Sequence, residues 1–120
     1  MSDEVMNPVS VEQAIRDISN RIANGVKVCS ERHKAFLTAE RDYDYQFALA
    51  YRSFDGPAHE KKYAAMVETI TFREAKDNAD AAYQYAVRQS RALTDELRAM
   101  QSVGASIRSM FAVAGRGEGA

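Results

Sequence analysis

From Val11 onward, apolar residues recur at helical spacing. Ile15, Ile22, Cys29, Phe36, Tyr43 and Ala50 stand seven apart over five intervals. Beside them runs a second row, Val11 and Ile18, then Val26, His33, Phe47 and Phe54. This row shifts by one place near Gly25, as a helix of about 3.6 residues per turn drifts against a strict seven. The pattern predicts one helix over about 11–53. Ser10 and Gln13 have the spacing of a capping box, with Val9 placed as a hydrophobic staple, and residues 1–9 read as a flexible lead. Phe54-Asp55-Gly56-Pro57 is the one strong break. Gly56 suits a left-handed terminator, and Pro57 suits a helix start because it has no N–H to leave unpaired.

Beyond the break a further line, Ala65, Phe72, Ala79, Ala86, Leu93, Met100 and Ile107, holds for six intervals without a slip. It predicts a second helix over about 58–113. The β-branched cluster Thr69-Ile70-Thr71, with Glu74 three places after Thr71, marks the neighbourhood of Thr71 as the place for a kink. Residues 114–120, rich in glycine, read as a disordered tail. The expectation is therefore an all-α, single-domain, long antiparallel helical hairpin of coiled-coil type.

With the turn near residue 56, facing positions should sum to about 112. Ile15 then meets Leu97, Cys29 meets Ala82 or Tyr83, and Phe36 meets Ala75. Val11 pairs near Gln101, so the second helix runs past the start of the first. A stripe formed by Leu97, Met100, Val103, Ile107, Met110 and Phe111, with Val113 beyond, is the expected interface. An uncovered apolar stripe is a liability unless something lies on it, and one seam is a thin core for a chain of 120 residues. Both points favour a homo-oligomer, dimer or higher, or docking on another protein. The lead Val5-Met6…Val9 is a lesser candidate cover.

Composition excludes more than it assigns. Sixteen basic residues against seventeen acidic ones give a formal charge of −1, which argues against a globally basic nucleic-acid binder. The single cysteine leaves no internal disulfide and no four-cysteine zinc site. No apolar run exceeds five residues, the length of Phe47–Tyr51 and Met110–Ala114, which is far too short to span a bilayer. Asp3 and Glu4 are unlike the basic start of a signal peptide, so a cytoplasmic protein is expected.

Candidate chemistry is sparse. Cys29 and His33 share a helix face at i, i+4, but Glu40, Asp44 and His59 offer no second ligand pair, and both read as seam residues. Asp42 and Asp44 flank Tyr43 and diverge, so they make no acid–base pair. Neither catalytic nor cofactor-binding nor metal-ligating residues are expected. In Tyr43/Tyr45 and Tyr83/Tyr85, residues two apart diverge by about 200°, so one of each pair should face outward. Charge is uneven: residues 1–20 hold four carboxylates against Arg16, whereas residues 86–120 hold five arginines against three carboxylates. Arg88, Arg91, Arg98 and Arg108, interspersed with serine and glutamine, are the candidate phosphate contacts, a composition suited to bidentate forks. Pairing with the acidic N-terminal segment explains the same asymmetry without a ligand.

Three segments carry a resemblance: Tyr45-Gln-Phe-Ala-Leu-Ala-Tyr-Arg, Lys62-Tyr63-Ala64-Ala65, and the run from Arg91-Ala-Leu-Thr-Asp-Glu-Leu-Arg to Ser106-Ile-Arg-Ser. Over about 11–113 the chain resembles small helical proteins encoded among the early, DNA-metabolism genes of tailed phages of actinobacteria. That resemblance implies a non-catalytic accessory protein of phage DNA replication, recombination or host takeover, acting in the infected host's cytoplasm on a phage or host protein. The alternative from the residues is single-stranded DNA binding by the arginine face. Phe54-Asp55-Gly56 is also similar to the Trp-x-Gly turn of small helical-hairpin substrates of type VII secretion. The chain departs from that pattern in having no tryptophan and no C-terminal Tyr-x-x-x-acid signal.

Overall fold

The computed structural model describes residues 7–118, and side chains through Gly115. The fold is an all-α antiparallel helical hairpin: α1 (Pro8–Ser53), a short 3₁₀ turn (Ala58–Glu60), α2 (Lys61–Glu68) and α3 (Ile70–Glu118).

α1 starts three residues before the expected position. Asn7, not Ser10, is its cap. The Asn7 side-chain oxygen accepts from the Ser10 N–H at 3.0 Å, and the Ser10 hydroxyl oxygen accepts from the Asn7 N–H at 2.9 Å. This reciprocal pair satisfies donors that the first turn leaves open, and Pro8 fits the first helical position because it has no N–H. Gln13 is thereby released from capping and bonds Asp17 one turn on, at 3.0 Å.

The connection also differs from expectation. No glycine among the described residues has a positive φ, so Gly56 is not a left-handed terminator. Its role is spatial: a Cβ there would stand 2.8 Å from the Phe54 ring, which folds back over it. Pro57 is extended, with φ −58° and ψ 136°, and its carbonyl accepts from the Glu60 N–H at 3.0 Å to open the 3₁₀ turn.

The break in the second arm falls at Thr69, with φ −106° and ψ 16°, inside the β-branched cluster expected to hold it and two residues before Thr71. Thr69 is buried, and its hydroxyl donates to the Ala65 carbonyl at 2.7 Å. A threonine bonded back to the preceding turn bends a helix. The backbone ladder nonetheless bridges the site, through Thr69 N–H to Ala65 O and Arg73 N–H to Thr69 O. Thr71 is the second residue of α3, two places past the position from which a side chain caps a helix. At its other end α3 continues through Gly115 and Gly117 to Glu118, beyond the expected limit of 113. Extending an existing helix adds a backbone hydrogen bond per residue without a new nucleus. Residues 1–6 of the expected lead and 119–120 of the expected tail lie outside the described residues.

Contacts divide the chain into two units, one of residues 1–26 with 89–120 and one of residues 27–88. The first has an aliphatic seam, with Val11, Ile18, Leu93 and Ile107 buried. Here Gly104 faces Val11 and Gly25 faces Ser90, so facing numbers sum to 115, three more than expected. The second unit buries Ala50, Ala65, Ala86 and Thr69, and larger side chains meet along the seam's edges. Lys76 lies 5.2 Å from the centre of the Tyr43 ring, and Lys61 lies 5.4 Å from that of Tyr51. His33 stacks on Tyr83 at 4.8 Å, and Arg32 donates to the Ala82 carbonyl at 3.1 Å.

The second row of α1 does not shift at Gly25. Val26 and His33 are exposed, and Gly25, Arg32 and Ala39 continue the line of Val11 and Ile18 at strict sevens. That is the repeat of a coiled-coil seam, in which slight underwinding keeps one face inward.

Candidate protein-interaction surfaces

The register decides which expected interface residues remain free. Because facing numbers sum to 115, the start of α1 reaches as far as Ile107. Ile107 is only 6 % exposed, and Leu97 and Met100 are half-buried, so these three belong to the hairpin's own seam. The exposed stripe is shorter than expected and lies further along: Val103, Met110, Phe111 and Val113. Met110 is 62 % exposed and Phe111 55 %. Phe111 stands seven residues after Gly104 and fourteen after Leu97, so it is the next place in a row whose earlier members pack against α1. Val5 and Met6, offered by the sequence as a cover, lie outside the described residues.

A second surface escaped the heptad reading. Phe54, Glu60, Tyr63, Ala64, Val67 and Glu68 line an open concavity of about 650 Å³ beside the turn. It arises because Tyr63 and Val67 are one turn apart on α2 and stand off the buried Ala65 line, while Phe54 closes one side. Tyr63 is 67 % exposed and Val67 76 %. Glu60, Ala64 and Glu68 form the adjoining i, i+4, i+8 row, which sets a carboxylate one turn to either side of Ala64. The signal was the i, i+4 apolar pair Tyr63/Val67, overshadowed by the longer line through Ala65.

The four candidate phosphate contacts are all exposed. Arg88 belongs to the second unit, and Arg91, Arg98 and Arg108 to the first. Asp95 interrupts the row and pairs with Arg98 at 3.7 Å within α3. Among the described residues these arginines form no ion pair with Glu12 or Asp17 of α1, and Asp3 and Glu4, the other carboxylates of the expected acidic segment, lie outside the described residues. The tyrosine pairs divide as their spacing requires, with Tyr43 and Tyr83 at the seam and Tyr45 and Tyr85 exposed. Cys29 is half-buried, and His33 lies at the edge of the seam rather than within it. Among the described residues no three His, Cys, Asp or Glu side chains gather where they could hold a metal ion. No described helix is long and apolar enough to cross a membrane.

Compared with family models, curated proteins and solved structures, the chain gives no match.

Proposed function

We propose that this chain is a non-catalytic helical interaction protein, which self-associates and docks on a partner protein through faces its own hairpin leaves open. The observation that carries this reading is the seam row that continues into solvent at Phe111, with Met110 beside it. The proposed partner is a phage or host protein of DNA replication, recombination or host takeover, met in the cytoplasm of the infected cell, and this part of the proposal rests on the sequence resemblance to phage early proteins alone.

Sedimentation velocity with a labelled single-stranded oligonucleotide, at low and at moderate salt, tests the proposal. The expected result is a species heavier than one chain beside free oligonucleotide at both salt concentrations. A monomer at every concentration overturns the reading. Oligonucleotide that co-sediments at low salt and is released at moderate salt replaces it with phosphate binding by the arginines, because phosphate contacts weaken steeply as salt rises.

A further inference from the structure

The two apolar surfaces differ in the charge that accompanies them. The concavity beside the turn is edged by Glu60 and Glu68. The exposed end of α3 has no carboxylate between Glu96 and Glu118, and Arg108 precedes Phe111 by three residues, on a neighbouring position of the same helix flank. Tail against tail would bring arginine to arginine, and concavity against concavity would bring glutamate to glutamate. The unlike pairing sets the arginine of one patch against the lining glutamates of the other around an apolar centre.

We infer that the end of α3 from one copy, led by Met110 and Phe111, docks into the concavity formed by Phe54, Tyr63 and Val67 on a second copy, with Arg108 toward Glu60 and Glu68. This inference rests on the self-association proposed above and names its geometry. The mode is a helix laid in a groove. A volume of about 650 Å³ falls within the range of about 300–1,000 Å³ typical of ligand pockets. Because the two patches are different surfaces, the contact is heterologous. Each copy offers a tail and a concavity, so association continues head to tail unless the ring closes.

The test uses two single variants of the full chain, Val67→Asp and Phe111→Asp, by sedimentation equilibrium over a wide concentration range. Both positions are exposed, and far-UV circular dichroism checks that each variant keeps its helix content. The wild type should grow in mass with concentration past the dimer, or settle as a closed ring. Each variant alone should associate at least tenfold more weakly. An equimolar mixture should then form a dimer that grows no further, because it contains one intact tail and one intact concavity. If Phe111→Asp abolishes association while Val67→Asp leaves it unchanged, the tails pair with each other: the inference falls and the self-association reading stands. A mixture that stays monomeric also overturns the inference. A monomeric wild type overturns both.

Discussion

The buried Val11 side chain rests on the backbone of Gly104, so that a Cβ added at 104 would lie 2.9 Å from its Cγ1. This close approach fixes the register of the first unit. It also predicts a sign that helix propensity alone gets wrong. Alanine is preferred to glycine inside a helix by about 1 kcal/mol, but overpacking a closed seam costs about 1–3 kcal/mol, and a β-branched valine has little rotamer freedom with which to yield. Gly104→Ala should therefore lower stability by up to about 2 kcal/mol in chemical denaturation. In a Val11→Ala background the same change should become stabilising. A stabilised Gly104→Ala single variant would mean that the seam is not closed at this point.

Gly25 provides the contrast. A Cβ there meets the Ser90 hydroxyl at 3.2 Å, an overlap of a few tenths of an ångström against a single side-chain atom and looser than the contact at Gly104. Gly25→Ala should raise stability by about 0.5–1 kcal/mol, close to the propensity difference. Thermal unfolding of the two alanine variants side by side should shift the midpoints in opposite directions.

The two units should answer truncation differently. Leu93 is buried in the aliphatic seam, so Leu93→Ala should cost about 2–5 kcal/mol. Lys76→Ala removes the cation over the Tyr43 ring, a contact worth about 0.5–1 kcal/mol at an exposed site. Urea titrations of both variants measure the difference. Equal losses would show that the second seam depends on its edge contacts as strongly as the first depends on its core.

The hairpin, its turn and the heptad lines were legible in the sequence because few residues compete with a helix and the sevens are unbroken. The register was not. A three-residue offset depends on Gly104 admitting Val11, and a glycine does not alter the hydrophobic pattern. The offset then decides that Ile107, Leu97 and Met100 serve the chain's own seam. The shift expected at Gly25 failed for a related reason: glycine and arginine carry no apolar signal, yet Gly25 and Arg32 hold the seam row while Val26 faces water. The concavity was hidden because Phe54 belongs to the turn and comes beside Tyr63 and Val67 only after the chain folds back.

Asn7 should be measurable as a cap. Its side chain holds the Ser10 N–H, and replacing a capping asparagine by alanine costs about 1 kcal/mol. Asn7→Ala should lose that amount, and Asn7→Asp should retain most of it because a carboxylate also accepts the bond and favours a helix N-terminus. Hydrogen exchange should show the loss first at the amides of residues 9–11. Equal protection in the wild type and Asn7→Ala would assign the start of α1 to the packing of Val11 rather than to its cap.

The arginine row yields the last prediction. Asp95 stands between Arg91 and Arg98 and pairs with Arg98 at 3.7 Å. An exposed pair of this kind adds little stability, about 0–1 kcal/mol, but it places a negative charge where a phosphate would sit. The wild-type chain is therefore expected to leave a single-stranded oligonucleotide free at moderate salt. Asp95→Asn changes the row by one charge and removes the competing carboxylate, so any weak low-salt binding should strengthen and its salt dependence should steepen. Fluorescence anisotropy against salt concentration, for wild type, Asp95→Asn and Arg91→Gln with Arg98→Gln, separates the outcomes. Tight wild-type binding at moderate salt that the double arginine variant abolishes would make the row a nucleic-acid site despite its carboxylate. Anisotropy unchanged across all three proteins would leave these arginines as a solvated helix face.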